Sequence, residues 1–212
     1  MSVQWERDDA EMISVIADRI RRVQSTCSYD YRLHLPPSIL TVFPHINEGY
    51  HVVYGRNRLA VAAILRPTNI YEVGIGWGIS ARAFMTGYPS AHYFGIDTGE
   101  MGVNPAEALS GTYGQCETLD SYSLAAFVHP NGPIDLVHID GNHERSHKKS
   151  DVRKAIASGA EWMLVDDMHN QQVAAGTFDA FYDAWDGSCI SMVCMENSHT
   201  GGMLFHINNR GK

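Results

Sequence analysis

Four short apolar runs, residues 70–75, 92–96, 134–139 and 162–165, each stop on a glycine-rich turn or an aspartate. Helical patterns at 79–86 and 146–158 stand between two pairs of them. Runs this short and this apolar are strands covered on both faces, which requires crossover helices and a mostly parallel sheet. Two last runs, 190–196 and 202–207, are joined by the turn-rich residues 197–201 and add an antiparallel edge. The expected fold class is therefore α/β: a Rossmann-like, doubly wound, mostly parallel sheet with an antiparallel C-terminal edge hairpin. In such sheets ligands bind outside the carboxyl ends of the strands, where the strand order reverses. The aspartates that end the strands mark that edge.

The rest of the chain is plainer. Residues 9–24 read as an amphipathic helix, with Ile13, Ile16, Ala17, Ile20 and Val23 on one face. Residues 25–56 are irregular, with Pro36-Pro37, Pro44 and several aromatic and histidine residues, and suit a lid or substrate wall. A short helix is expected at 57–65, before Pro67, and another at 177–185. The division is then 1–56, an N-terminal helix and lid, and 57–212, the ligand-binding domain. With 212 residues a single core is the default.

Sixteen basic against twenty-four acidic side chains give a formal charge of −8, without the basic stripe that a nucleic-acid backbone demands. The longest apolar stretches, such as 59–65, fall well short of the ~20 residues of a membrane span, and the N-terminus is acidic where a signal peptide is basic then apolar. Cys27, Cys116, Cys189 and Cys194 form no C-x-x-C pair, and the last two sit in an apolar run as buried thiols do. A soluble protein in a reducing, cytoplasmic setting is expected, with no nucleic acid or membrane as partner.

The segment Glu72-Val73-Gly74-Ile75-Gly76-Trp77-Gly78-Ile79-Ser80 is a strand, a glycine turn and a helix start. Glycines there let a ligand touch backbone at a helix N-terminus. Asp97, ending the next strand, is placed to accept from both hydroxyls of a ribose, which implies a nucleoside-containing cofactor. The dinucleotide fingerprint wants Gly or Ala three residues after its second glycine, and Ile79 stands there instead.

Asp140 and the pair Asp166-Asp167 end consecutive strands one crossover apart, so the three carboxylates are expected to share a crevice. Crowded carboxylates call for a cation, and an all-oxygen set favours Mg²⁺, then Ca²⁺ or Mn²⁺. His143, on the loop leaving Asp140, is the candidate base for a substrate hydroxyl. His138 reads as a satisfied core residue, and His169 as a contact candidate. His143-Glu144-Arg145-Ser146-His147 spells the zinc-protease signature, but it follows a Gly-Asn turn and carries Arg145 with Lys148-Lys149 beside it, so it reads as the solvated start of a helix.

The spacing Glu-x-Gly-x-Gly-x-Gly resembles motif I of class I S-adenosylmethionine-dependent methyltransferases. With Asp97, Ile139-Asp140-Gly141-Asn142-His143 and Val165-Asp166-Asp167, residues 57–207 resemble the metal-dependent small-molecule O-methyltransferases. The catechol and caffeoyl-coenzyme A types are similar, and the macrocin O-methyltransferase and cephalosporin-hydroxylase-like group more so. The resemblance implies that Asp140, Asp166 and Asp167 are metal ligands, that Asp140 also borders the cofactor, and that His143 is catalytic in the place where the catechol type has lysine. It implies that Glu72, Gly74, Gly76, Trp77, Ser80, Asp97 and Thr98 hold S-adenosylmethionine, with Gly114-Gln115-Cys116 lining the adenine. Glu72 and the net acidity would favour that cationic cofactor.

The expected activity is methyl transfer from S-adenosylmethionine to a hydroxyl of a small-molecule acceptor, a natural product, sugar or catechol, assisted by a divalent cation, with a homodimer as the candidate assembly. The rivals are a metal-independent N- or C-methyltransferase, a non-methylating S-adenosylmethionine-binding protein of the same fold, and, last, a zinc protease. Residues 1–56 match no subfamily.

Overall fold

A computed structural model describes residues 2–42, 49–102, 104–112, 114–184, 190–194 and 201–207. Helix α1 (Ser2–Thr26) leads through a 3-10 turn at Tyr31–Leu33 and α2 (Pro37–Val42) to α3 (Gly49–Leu65). Then β1 (Asn69–Val73), α4 (Ile79–Gly87), β2 (His92–Asp97), α5 (Pro105–Ala108) and β3 (Gln115–Thr118) follow. The second half is β4 (Leu136–Ile139), α6 (Arg145–Ala157), β5 (Trp162–Val165), α7 (Gln171–Asp183), β6 (Ile190–Cys194) and β7 (Met203–Ile207).

Among the described residues, seven strands form one sheet in the order β3-β2-β1-β4-β5-β7-β6. Strands β1 to β5 are parallel and β7 runs antiparallel to both β5 and β6. The order reverses between β1 and β4, so the crevice expected of a doubly wound sheet opens at their carboxyl ends.

Side chains alternate across a strand, and here the alternation sorts the core into two layers. Ile70, Leu136, Leu164 and Leu204 point towards one cluster, which Ile13, Ile20, Ala60, Val61 and Phe84 complete from α1, α3 and α4. Tyr71, Val73, Val137, Ile139, Met163, Val165 and Phe205 point the other way, to Val152, Ala155, Val173, Ala180 and Phe181 of α6 and α7. By the same parity Glu72, His138 and Asp166 face the α1, α3 and α4 layer.

Several boundaries differ from the sequence expectation. Residues 25–56, read as irregular, hold α2 and the first two turns of α3, which places the 56/57 division inside a helix. Residues 43–48 of the expected lid lie outside the described residues, as do Trp185, Cys189, residues 195–196 and the turn at 197–200. Helix α7 starts at Gln171 because Asn170 caps it, its side chain accepting from the Gln172 amide at 2.9 Å. Strand β3 carries Gln115, Glu117 and Thr118 on an exposed edge, a composition without the apolar signature of a buried strand. Among the described residues no helix is long and apolar enough to cross a membrane.

Candidate active site

At the sheet's carboxyl edge lies a cavity of about 830 Å³. That lies within the usual range of small-molecule sites. Its floor is the turn after β1, where Gly74 and Gly78 have φ of 85° and 76°. A Cβ on Gly74 would stand 2.4 Å from the carbonyl oxygen of Asp140, so only glycine lets β1 and β4 release their chains side by side. The cavity wall includes Gly74, Gly76, Trp77, Ser80, Asp97, Thr98, Asp140, His143 and Asp167.

Asp97 holds the turn in shape. Its Oδ2 accepts from the amides of Ile75 at 2.8 Å and Gly76 at 2.9 Å, and its Oδ1 accepts from Gly99 at 2.6 Å. A carboxylate offers about four acceptor sites, so about one is left for a ligand hydroxyl, where the sequence reading had two.

Four of the expected cofactor contacts, Glu72, Gly114, Gln115 and Cys116, are not on the cavity wall. Glu72 is fully buried behind it. Its Oε1 accepts from Ser80 Oγ and faces His138 Nδ1 at 2.6 Å, and its Oε2 accepts from the Tyr93 hydroxyl. Burial pushes the Glu72 carboxyl up to about 8 and the His138 imidazole down to about 3. The pair is therefore neutral near neutral pH, with one proton between Oε1 and Nδ1, and Glu72 gives no negative charge to attract a cationic ligand. Gln115 and Cys116 lie at the start of β3, away from the carboxyl edge; Thr118, Leu119, Asp120 and Ser121, at its far end, line the cavity in their place.

The three metal candidates separate. Asp167 has φ 57°, a left-handed backbone that Asp tolerates better than most residues, and its carboxylate lies on the cavity wall. Its Oδ2 is 2.9 Å from His143 Nε2. That hydrogen bond raises the His143 pKa, whereas burial works to raise that of Asp167 and His143 overrides it, leaving the carboxyl below its ordinary value. Asp140 is half-buried on the cavity wall, its carboxyl raised by burial, and its Oδ2 accepts from the Tyr54 hydroxyl at 2.6 Å. Asp166, by contrast, is fully buried and turned away, with Oδ1 paired to Arg58 and Oδ2 accepting from His138 Nε2 at 3.1 Å.

Among the described residues, two groups of donor atoms lie within 4.8 Å of one another: Asp140, His143 and Asp167, and His138, Asp140 and Asp166. An ion in the second would meet the Arg58 guanidinium and a His138 already committed to two hydrogen bonds. The first faces the cavity and brings two carboxylates, the number on which Mg²⁺ commonly rests with waters completing its shell. The donor chemistry thus fits a hard divalent ion on Asp140 and Asp167, with Asp166 assigned to structure.

The zinc-protease spelling dissolves in three dimensions. His143 precedes α6, Glu144 is its extended N-cap, and His147 stacks on Tyr122 with ring centroids 4.4 Å apart. His169 is exposed, its Nδ1 3.9 Å from Asp167 Oδ1. The sequence reading passed over Tyr54 and Arg58; the available signal was a charged residue at the head of the apolar run 59–65, with a tyrosine one turn before it.

No family model matches the sequence, and no curated protein matches it. Solved structures do. The cofactor-bound Rv0187 of MTB is 15% identical, with TM-score 0.61, covering 89% of this chain and 95% of that one. An O-methyltransferase of Bacillus cereus in complex with SAH is 14% identical, with TM-score 0.61, covering 93% and 100%. The SAH-bound methyltransferase PaMTH1 of Podospora anserina is 15% identical, with TM-score 0.60, covering 91% and 95%. At these identities the likeness is one of fold: the chain has the Rossmann-like fold of class I S-adenosylmethionine-dependent methyltransferases.

Proposed function

We propose that the protein is an S-adenosylmethionine-dependent O-methyltransferase acting on a hydroxyl of a small molecule, with a divalent cation on Asp140 and Asp167. The supporting observation is that one cavity is lined both by Gly74, Gly76 and Asp97 and by the Asp140, His143 and Asp167 group. The fold shared with SAH-bound methyltransferases agrees with it.

In this reading the remaining acceptor site of Asp97 takes a ribose hydroxyl, while Trp77 and Ser80 border the methionine end. A divalent ion bound at Asp140 and Asp167 would lower the pKa of the acceptor hydroxyl. His143, whose Nε2–H donates to Asp167 Oδ2 at 2.9 Å, takes that hydroxyl's proton at Nδ1, and Asp167 steadies the imidazolium that forms. The bond from acceptor oxygen to methyl carbon forms as the sulfur–methyl bond breaks, releasing S-adenosylhomocysteine. Alignment of the two reactants in a walled cavity is the chain's main contribution.

Incubation with S-adenosylmethionine, Mg²⁺ and a panel of catechols, sugars and polyhydroxylated natural products, followed by mass spectrometry, tests the reading. Expected are S-adenosylhomocysteine and an O-methylated product, both suppressed by EDTA and reduced about 10²–10⁴-fold by His143→Gln, the usual worth of a general base. Turnover that survives EDTA and Asp167→Ala would instead support a metal-independent methyltransferase, and binding without turnover a non-methylating protein of the same fold.

A further inference from the structure

Helix α3 reaches the acids at two points one helical turn apart. Tyr54 donates its hydroxyl to Asp140 Oδ2 at 2.6 Å, and Arg58 pairs with Asp166 Oδ1. The Arg58 guanidinium lies over the Tyr54 ring, 3.6 Å from its centroid, so each side chain fixes the other. Arg58 is wholly buried and Tyr54 nearly so, with Tyr54 forming part of the cavity wall. Side chains four residues apart lie on the same helix face, and the ends of β4 and β5 present Asp140 and Asp166 to that face.

We propose that Tyr54 is a positioning residue for the proposed cation site: its phenol locks Asp140 in one rotamer and leaves Oδ1 for the ion. The inference rests on the reading of Asp140 as a cation ligand. The phenol is the donor of the Tyr54–Asp140 hydrogen bond and the carboxylate its acceptor. Without that donor the carboxylate can rotate, and each binding event must then reorder it. Arg58 does the companion work by holding Asp166 out of the cavity. The N-terminal layer is thereby part of the site's machinery, not only its wall.

Ligand-orienting partners of this kind are commonly worth about 10–100-fold in metal affinity. The test uses the full chain without cofactor or acceptor, with Mn²⁺ binding followed by loss of the free-ion paramagnetic resonance signal. Tyr54→Phe, which keeps the ring under Arg58, is expected to raise the Mn²⁺ dissociation constant about tenfold or more. Its affinity for S-adenosylhomocysteine should stay within about twofold of wild type, a separation that a general loss of structure would not give. Unchanged Mn²⁺ affinity in Tyr54→Phe, with saturable binding in wild type, overturns the positioning role alone. Absence of saturable Mn²⁺ binding in wild type overturns the cation reading of Asp140 and this role with it.

Discussion

Glu72 and His138 are adjacent in register on β1 and β4 and share one buried proton. Their titrations oppose each other. Glu72 has its folded pKa raised to about 8, so the native state holds an extra proton from about pH 4.5 to 8, and stability falls with rising pH across that window. His138 has its folded pKa lowered to about 3, so the unfolded state holds the extra proton from about pH 3 to 6.5, and stability rises with pH there. Between about pH 4.5 and 6.5 the two slopes cancel, which gives a plateau with a decline on each side. Glu72→Gln, neutral at every pH, should abolish the alkaline decline between about pH 6.5 and 8 in urea titrations, and an unchanged decline would place its origin elsewhere. From the sequence, Glu72 reads as a cofactor residue because motif spacing says which residue type stands near a turn but not which side of the sheet it faces. His138, by contrast, was placed in the core by its position inside an apolar strand, where the structure has it.

At the scale of elements, the glycine turn and helix α3 do different work. The turn is legible because its function lies in backbone geometry, which glycine spacing reports directly. Gly74→Ala puts a Cβ 2.4 Å from the Asp140 carbonyl and forces a side chain onto φ 85°. The left-handed backbone alone costs about 1–3 kcal/mol, and relief of the clash must push β1 away from β4. A thermal midpoint lowered by at least several degrees is expected, with weaker S-adenosylhomocysteine binding; a variant indistinguishable from wild type would contradict the packing described. Helix α3 was half legible. Its apolar second half, 57–65, shows the usual pattern, whereas Tyr54 before it and Arg58 at its head are polar groups whose partners lie more than 80 residues away in the chain. No local pattern reports such pairing. Strand β3 escaped notice for a related reason: an exposed edge strand needs little apolar side chain.

At the scale of the whole molecule, the sheet separates two packed layers, and polar links through α3 join the N-terminal layer to the sheet's carboxyl edge. Arg58 and Asp166 form a buried pair whose charges have no solvent to fall back on. Removal of one partner from such a pair is destabilising by about 3–5 kcal/mol, because the other is left uncompensated. Arg58→Ala should therefore lose most of that amount in urea unfolding, and a loss below about 1 kcal/mol would mean that the pair does not tie the layers together. The acidity of −8 divides accordingly. Asp97, Asp140 and Asp167 line the cavity, while Glu72 and Asp166 serve the interior. Calorimetric titration of S-adenosylhomocysteine into wild-type protein and Asp97→Ala tests most directly whether that cavity is the cofactor site. One saturable site per chain in wild type, weakened at least about tenfold in the variant, is the predicted result; no saturable heat in wild type, or equal affinity in both proteins, would contradict it.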